Sequence, residues 1–216
     1  MISKDLKKRI YTSVILLFLI ILILRFNTVL VFSLIVFSVL SIIEFFNLTN
    51  KILSNKFYYL ASNSFFVIYV FLFCFMFFLF SNILQLKVIL FSILIGCVAS
   101  DIGGYVFGRI FKGPKLTRIS PNKTFSGAVG SIIFTSILMS ISMFYFTNNF
   151  SYIVLIIAIS TSIGCQAGDL FFSYLKRMAK IKDTGNTLPG HGGVLDRLDG
   201  IFLGIPIGFI SLMFFN

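Results

Sequence analysis

Long apolar runs alternate with short polar segments along almost the whole of this 216-residue chain. A helix needs about 20 mostly apolar residues to cross the roughly 30 Å hydrocarbon core of a membrane. Measured against that length, the pattern predicts an all-α, polytopic integral membrane protein with about seven transmembrane helices. The predicted spans are roughly 9–24, 27–46, 58–80, 86–108, 125–147, 150–172 and 199–215.

The composition supports lipid as the solvent for most of the chain. Hydrophobic residues make up 58% of it, charged residues only 12%, and the mean hydropathy is +1.02. A soluble domain is usually about 25% charged. The three cysteines all lie inside apolar runs, so we interpret them as buried apolar residues and expect neither disulfides nor a cysteine metal site.

The net charge of +11 follows the predicted topology. In a soluble protein such a charge would indicate nucleic acid, but here the basic residues cluster between apolar runs, so no nucleic-acid partner is expected. With a cytoplasmic N-terminus and an uncleaved first span, the inside segments and one flanking residue hold 16 of the 18 Lys and Arg residues, as the positive-inside rule requires. Those segments are 1–8, 47–57, 109–124 and 173–198.

A stripe of polar residues marks the end of the sixth predicted span. Asp169, Ser173, Lys176 and Arg177 are spaced i, i+4, i+7 and i+8, and therefore share one face of a helix. An Asp at a span's centre costs about 2.5–3.5 kcal/mol, so its presence needs a reason. The stripe could hold a metal at its deep end and phosphates at its shallow end. The alternative is an interfacial Asp that reaches water or meets a Lys.

A second cluster, PGHGGVLDRLDG, precedes the last predicted span. Its glycines allow a tight turn and a close approach to a ligand. Two aspartates beside an arginine suit Mg²⁺ and phosphate, because Mg²⁺ is commonly held by one or two carboxylates together with substrate phosphates. Alternatively, one aspartate caps the helix and the histidine makes only a loop hydrogen bond. The residues are Gly190, His191, Gly192, Gly193, Asp196, Arg197 and Asp199.

The third segment, SPNKTFSG, covers residues 120–127. Lys123 and Thr124 lead into a span whose first-turn N–H groups are free, which makes a phosphate seat possible. An ordinary helix cap is the alternative. The Walker A pattern is absent.

These stretches resemble the phosphatidate cytidylyltransferase family. The family signature, S-x-x-K-R, K-D, P-x-H-G-G and D-R-x-D, matches SYLKRMAKIKDTGNTLPGHGGVLDRLD between Ser173 and Asp199. DIGGYVFGR (101–109), SPNKTFSG and QAGDLFFS (166–173) also resemble family motifs. The resemblance covers the chain from Asp101 onward, whereas the earlier residues match only as generic apolar spans.

The resemblance implies transfer of the cytidylyl group of CTP to phosphatidate, giving CDP-diacylglycerol and pyrophosphate. It implies a helical fold in the bacterial inner (cytoplasmic) membrane, with the active site facing the cytoplasm and a homodimer as a candidate assembly. Mg²⁺ is the implied cofactor; a second metal ion stays open, with K⁺ as a candidate.

Residue roles follow from the matched motifs. We expect Asp169 and Asp196, from the ends of two different spans, to converge in one cation-holding pocket at the inner leaflet. Metal ligands are expected first from these two, then from Asp199 and Asp183. The catalytic set is Asp169, Lys176, Arg177, Asp196 and Asp199, and the substrate-binding set is Lys123, Thr124, Ser173, Lys182, His191, Gly192, Gly193 and Arg197.

The predicted division of the chain is 1–84, the N-terminal transmembrane helices, and 85–216, a catalytic core with loops 109–124 and 173–198. Two other functions are possible. One is a CTP-dependent relative acting on an isoprenoid alcohol or an archaeal-type ether lipid. The other is a small transporter or channel with Asp101 and Asp169 as ion sites, for which the internal repeats common in transporters are not found.

Overall fold

The computed structural model describes residues 4–117, 119–121 and 123–215, except for the side chains of residues 4–10 and of Leu17. The described residues form seven α-helices and no β-strand, which confirms the all-α prediction. Arg118 and Asn122 of the predicted segment 109–124 lie outside the described residues. The helices are α1 (Lys4–Arg25), α2 (Asn27–Ile52), α3 (Lys56–Asn82), α4 (Leu84–Phe111), α5 (Phe125–Thr147), α6 (Tyr152–Met178) and α7 (Leu195–Phe215).

The chain is a multi-pass membrane protein. Within the described residues, the six helices α2 to α7 are long and apolar enough to cross a membrane. In lipid every backbone N–H and C=O must be satisfied within its own segment, so these apolar runs form helices. The apolar part of α1, Tyr11–Arg25, is shorter. Seven helices are confirmed, and a crossing by α1 stays a prediction.

The helices extend further than the apolar runs predict. The predicted loop 173–198 begins inside α6, which continues to Met178, and α7 already begins at Leu195. Hydropathy marks where the chain leaves the lipid, whereas backbone hydrogen bonding can continue beyond that point. The helical path ends near Lys180, whose φ of 55° lies in the left-handed region. The connection between α6 and α7 is therefore residues 179–194, here called the signature loop.

The chain divides into two compact units, each described by itself. Unit 1 comprises Met1–Leu79 and Leu175–Arg197, and unit 2 comprises Phe80–Tyr174 and Leu198–Asn216. The signature loop therefore groups with the N-terminal helices, whereas the predicted division at residues 84 and 85 placed it in the C-terminal part.

In unit 2, α4 and α5 approach closely along a row of small residues. A Cβ added at Gly103 would lie 2.7 Å from the carbonyl oxygen of Gly130. Side-chain hydroxyls cross the same interface: Ser131 donates to the carbonyl of Ser100 at 2.7 Å, and Thr135 donates to that of Gly96 at 3.3 Å. Small residues that allow close backbone approach, together with such hydrogen bonds, are typical of helix packing in membranes.

A second glycine contact joins α6 and α7 within unit 2. A side chain at Gly168 would collide with the backbone oxygen of Asp199. A Cβ at Gly200 would lie 3.2 Å from Oδ1 of Asp169. Because both positions lack a side chain, the turns that carry the two aspartates lie against each other.

Unit 1 contains a conventional buried interface between α2 and α3. The rings of Phe45 and Phe66 stack at 3.9 Å between centroids. Thr49 donates to Oδ1 of Asn63 at 2.8 Å in the same interface. This packing fixes the end of α2, which carries the buried carboxylate described next.

Candidate functional site

Glu44, near the end of α2, is the buried centre of the signature loop in unit 1. Only 4% of the residue is exposed. Oε1 accepts from the Thr187 hydroxyl at 2.6 Å and from the Val194 N–H at 3.0 Å. Oε2 accepts from the Thr184 hydroxyl at 2.8 Å and from the Leu195 N–H at 2.9 Å. A buried charge is tolerated only when it is well hydrogen-bonded, and these four donors meet that need.

Asp196 binds the same loop from the first turn of α7. Its Oδ1 forms an ion pair with Nζ of Lys176 at 2.8 Å. Its Oδ2 accepts from the N–H groups of Thr184 at 2.8 Å and of Gly193 at 3.0 Å. The side chains of Lys176 and Asp196 are only 13% and 5% exposed, so the pair is largely desolvated. These contacts favour a role for Asp196 in ordering the loop, and its role as a metal ligand stays a prediction.

The glycines of the loop form the tight turn that the sequence predicts, and their close approach to a ligand stays a prediction. Gly190 and Gly192 have φ values of 79° and 86°, in the region that favours glycine. The turn closes where the N–H of Leu188 donates to the Gly192 carbonyl at 2.9 Å. Gly193 allows a close approach of a different kind, because a side chain there would collide with the Glu44 carboxylate and the Thr184 hydroxyl.

His191 and Arg197 are joined through the backbone. Nε and Nη2 of Arg197 donate to the carbonyl of His191 at 3.0 and 2.6 Å. The His191 ring places Nε2 3.5 Å from the hydroxyl of Ser13 in α1, and its Nδ1 has no hydrogen-bond partner within the described part of the chain. Thr12, beside Ser13, donates to the Pro189 carbonyl at 2.8 Å. The side chains of α1 therefore contact the tip of the loop.

The remaining predicted residues of unit 1 lie at its surface. Arg177, Lys182 and Asp183 are exposed. The Asp183 side chain lies beside Gly192, since a Cβ added there would be 3.5 Å from the Asp183 carboxyl carbon. Unit 1 thus brings together two of the predicted metal ligands, Asp183 and Asp196, at one turn.

In unit 2 an ion pair joins two of the predicted site residues, Lys123 and Asp169. Nζ of Lys123 lies 2.8 Å from Oδ2 of Asp169, and the two side chains are 29% and 24% exposed. Lys123 is presented by a short hairpin in which its carbonyl accepts from the N–H of Leu116 at 2.8 Å. The sequence predicted both residues as site residues, and the alternative in which Asp169 meets a lysine describes this contact, although the sequence did not say which lysine.

Thr124 is the N-cap of α5. Its hydroxyl oxygen accepts the N–H of Gly127 at 3.1 Å, the standard capping arrangement. The neighbouring Ser126 hydroxyl donates to the Lys112 carbonyl at 2.6 Å, which anchors the hairpin. The ordinary-cap alternative therefore describes the structure, and substrate binding by Thr124 stays a prediction.

The donor chemistry of unit 2 fits Mg²⁺. Asp169 and Asp199 lie on the α6 and α7 turns that meet at Gly168 and Gly200. Both offer carboxylate oxygens, the ligand type that Mg²⁺ prefers. No group of three or more His, Cys, Asp or Glu side chains suited to a metal occurs among the described residues. Substrate phosphates and water would have to complete the coordination, as they commonly do for Mg²⁺.

The predicted site residues therefore fall into two sets. Unit 1 carries Lys176, Asp183 and Asp196, and unit 2 carries Lys123, Thr124, Asp169, Ser173 and Asp199. Ser173 lies in α6 and is partly exposed. The expected convergence of Asp169 and Asp196 joins residues of different units and stays a prediction.

Glu44 is the residue that the sequence reasoning missed. From the sequence, no role was assigned to Glu44. A signal was present, because a lone Glu in the apolar run FSLIVFSVLSIIEFF carries the same insertion cost that drew attention to Asp169. Such a carboxylate requires donors, although the sequence does not say which segment supplies them.

A model of the cytidylyltransferase family matches residues 2–215 of the chain. The chain belongs to the cytidylyltransferase family. The family match includes the N-terminal helices, which the motifs alone did not reach. The family match therefore confirms the resemblance that the signature indicated.

Curated relatives of this cytidylyltransferase-family chain carry a more specific name. This chain is 39% identical over 123 residues to "Phosphatidate cytidylyltransferase" of Mycobacterium leprae, and the match covers 56% of this chain and 39% of that protein. The protein of the same name from Helicobacter pylori is 39% identical over 130 residues, with 57% and 46% covered. That from Rickettsia felis is 43% identical over 116 residues, with 49% and 51% covered. The chain spans about half the length of these relatives, or less.

Proposed function

We propose that this chain transfers the cytidylyl group of CTP to phosphatidate, forming CDP-diacylglycerol and pyrophosphate for phospholipid biosynthesis. The observation that carries the proposal is the signature stretch from Ser173 to Asp199, of which the part in unit 1, Leu175–Arg197, is ordered by the Lys176–Asp196 ion pair and the glycine turn. The names of the relatives support the same reaction.

The reaction needs no covalent enzyme intermediate. A phosphate oxygen of phosphatidate attacks the α-phosphorus of CTP in line, and the bond from that phosphorus to the bridging oxygen breaks as pyrophosphate leaves. The protein's part in such a transfer is to position the groups and to neutralise charge. We assign neutralisation of the substrate phosphates to five cations: Lys123, Lys176, Arg177, Lys182 and Arg197.

Mg²⁺ is the proposed cofactor, and when bound it supplies positive charge to the phosphates. Asp169 and Asp199 are the residues that would hold it in unit 2, with Asp196 and Asp183 as the further candidates in unit 1. Lys123 donates to Oδ2 of Asp169 in the structure, so it orients that carboxylate. A second ion, with K⁺ as the candidate, belongs to the same proposal.

The proposed location is the bacterial inner membrane, with the N-terminus and the active site on the cytoplasmic side. The basic segments between the spans support that orientation. CTP is soluble in the cytoplasm, while the acyl chains of phosphatidate stay in the bilayer. A homodimer is the assembly that the family resemblance implies.

The direct test uses the purified full chain in lipid nanodiscs with cytidine-labelled CTP, phosphatidate and Mg²⁺. We expect labelled CDP-diacylglycerol and an equal amount of pyrophosphate, with both lost after chelation by EDTA and restored by Mg²⁺. The D169A variant should lose turnover while it still inserts into membranes. Ser142→Ala, which removes a hydroxyl bonded within α5, is the matched control and should remain active.

The products separate the alternatives. Release of CDP in place of pyrophosphate would indicate a kinase and overturn the proposal. Transfer to an isoprenoid alcohol or an ether lipid, with none to phosphatidate, would keep the cytidylyl chemistry and replace the acceptor. Near-normal CDP-diacylglycerol synthesis by the D169A variant would contradict the assignment of Asp169.

A further inference from the structure

Glu44 connects the two arms of the signature loop. Each of its oxygens accepts one threonine hydroxyl from the arm before the glycine turn and one backbone N–H from the arm after it. The donors before the turn are Thr184 and Thr187, and those after it are Val194 and Leu195. A single buried carboxylate therefore fixes the separation of the two arms at the base of the turn.

The charge of Glu44 is compensated by the loop itself. In the described part of the chain Glu44 takes part in neither of the two ion pairs. Two of its donors, the N–H groups of Val194 and Leu195, lie at the start of α7, where helix N–H groups lack intrahelical partners and the dipole favours an anion. The buried carboxylate therefore receives its hydrogen bonds only with the loop in this conformation, and its two oxygens satisfy the donors of both arms.

Glu44 and Asp196 accept hydrogen bonds from the same two short segments. Thr184 donates its hydroxyl to Glu44 and its N–H to Asp196. The successive N–H groups of Gly193, Val194 and Leu195 go first to Asp196 and then to Glu44. One conformation of the loop therefore satisfies both carboxylates. In that conformation Asp196 lies against Lys176 while Glu44 binds the two arms of the loop.

We infer that Glu44 is a positioning residue for the nucleotide-binding signature, acting through the loop without touching the substrates. The inference rests on the proposed function and further assigns the signature loop, with its cation Lys182, to the phosphates of CTP. Loss of Glu44 should therefore weaken the use of CTP and leave the use of the lipid acceptor unchanged.

The test compares E44Q with S41A in the full chain. Glutamine keeps the volume but places an NH₂ donor against a backbone N–H and a hydroxyl. Ser41 lies one turn earlier on α2 and is buried, and its hydroxyl has no hydrogen-bond partner within the described residues, so S41A is the matched control. We expect E44Q to lower kcat/KM for CTP by about tenfold to hundredfold, as the loss of one or more charge-assisted hydrogen bonds would.

Two readouts distinguish positioning from a loss of fold. The KM for CTP should rise in E44Q while the KM for phosphatidate stays at the wild-type value. A fall in kcat alone, in proportion to a smaller folded fraction, would overturn the inference. Hydrogen exchange at the amides of Val194 and Leu195 should be faster in E44Q than in S41A, and unchanged exchange would also overturn it.

The exchange measurement separates this inference from the proposed function. A wild-type chain without cytidylyltransferase activity would refute the function, whereas the amide exchange would still decide whether Glu44 holds the loop.

If E44Q does not fold, Thr187 gives a milder pair of variants. T187V should raise the KM for CTP and T187S should restore it, because serine keeps the hydroxyl that donates to Glu44. Equal values for the two variants would contradict the inference.

Discussion

The buried ion pair between Lys176 and Asp196 gives the sharpest prediction. Nζ and Oδ1 lie 2.8 Å apart, and the two side chains are only 13% and 5% exposed. D196N keeps the volume and leaves one oxygen for the N–H groups of Thr184 and Gly193. It removes the negative charge opposite Lys176, however, and breaking a buried pair by removing one partner costs about 3–5 kcal/mol, which is the upper bound for this part-buried pair.

A double-mutant cycle isolates the pair. K176M removes the ammonium and leaves Asp196 with its two backbone donors, so we expect this single variant to lose less stability than D196N. In the double variant both charges of the pair are removed, and we expect a favourable coupling of about 2 kcal/mol relative to the sum of the single effects.

The assay is reversible unfolding of the purified protein in mixed micelles, followed by far-UV circular dichroism. Single effects that add in the double variant to within about 0.5 kcal/mol would refute the coupling. Turnover provides a second arm: because both side chains are assigned to the reaction, the double variant should regain stability without regaining CDP-diacylglycerol synthesis. A stable and fully active double variant would refute that assignment.

Two further predictions concern unit 2. K123M removes an ion pair whose side chains are about a quarter exposed, so the free energy of unfolding should change by less than about 1 kcal/mol, while CDP-lipid synthesis should fall sharply; a K123M variant with normal turnover would contradict the role of Lys123. G103A places a methyl group against the Gly130 carbonyl and should destabilise the chain by about 1–3 kcal/mol in the same unfolding assay. An unchanged unfolding midpoint for G103A would show that α4 and α5 are not closely packed there.

The part of the fold that the membrane environment determines, the succession of helices, was predictable from the sequence. Each apolar run became a helix, because a backbone in hydrocarbon must satisfy its own hydrogen bonds. The ends were less predictable: α6 continues through its polar stripe to Met178, and Lys180 then takes a left-handed conformation that hydropathy does not encode. The tight turn was predictable from the glycines in the sequence, because glycine readily adopts the positive φ values that Gly190 and Gly192 have.

The pairing of site residues was harder to predict than their identity. Lys123 was predicted to meet phosphate, and the structure pairs it with Asp169, 46 residues away. Glu44 reaches donors at least 140 residues further along the chain. Periodicity reports only on neighbours within an element, so contacts over such separations depend on the tertiary fold. The cost of a buried carboxylate was the one local signal that Glu44 needs partners.

The four hydrogen bonds of Glu44 bear on how this protein could be re-engineered. A chimaera that replaced residues 1–79 with hydrophobic helices of equal length would preserve bilayer insertion but would remove the acceptor for Thr184, Thr187, Val194 and Leu195. Transplanting the C-terminal motifs onto a foreign membrane anchor should therefore give a protein that uses CTP poorly unless a carboxylate is supplied at the matching position.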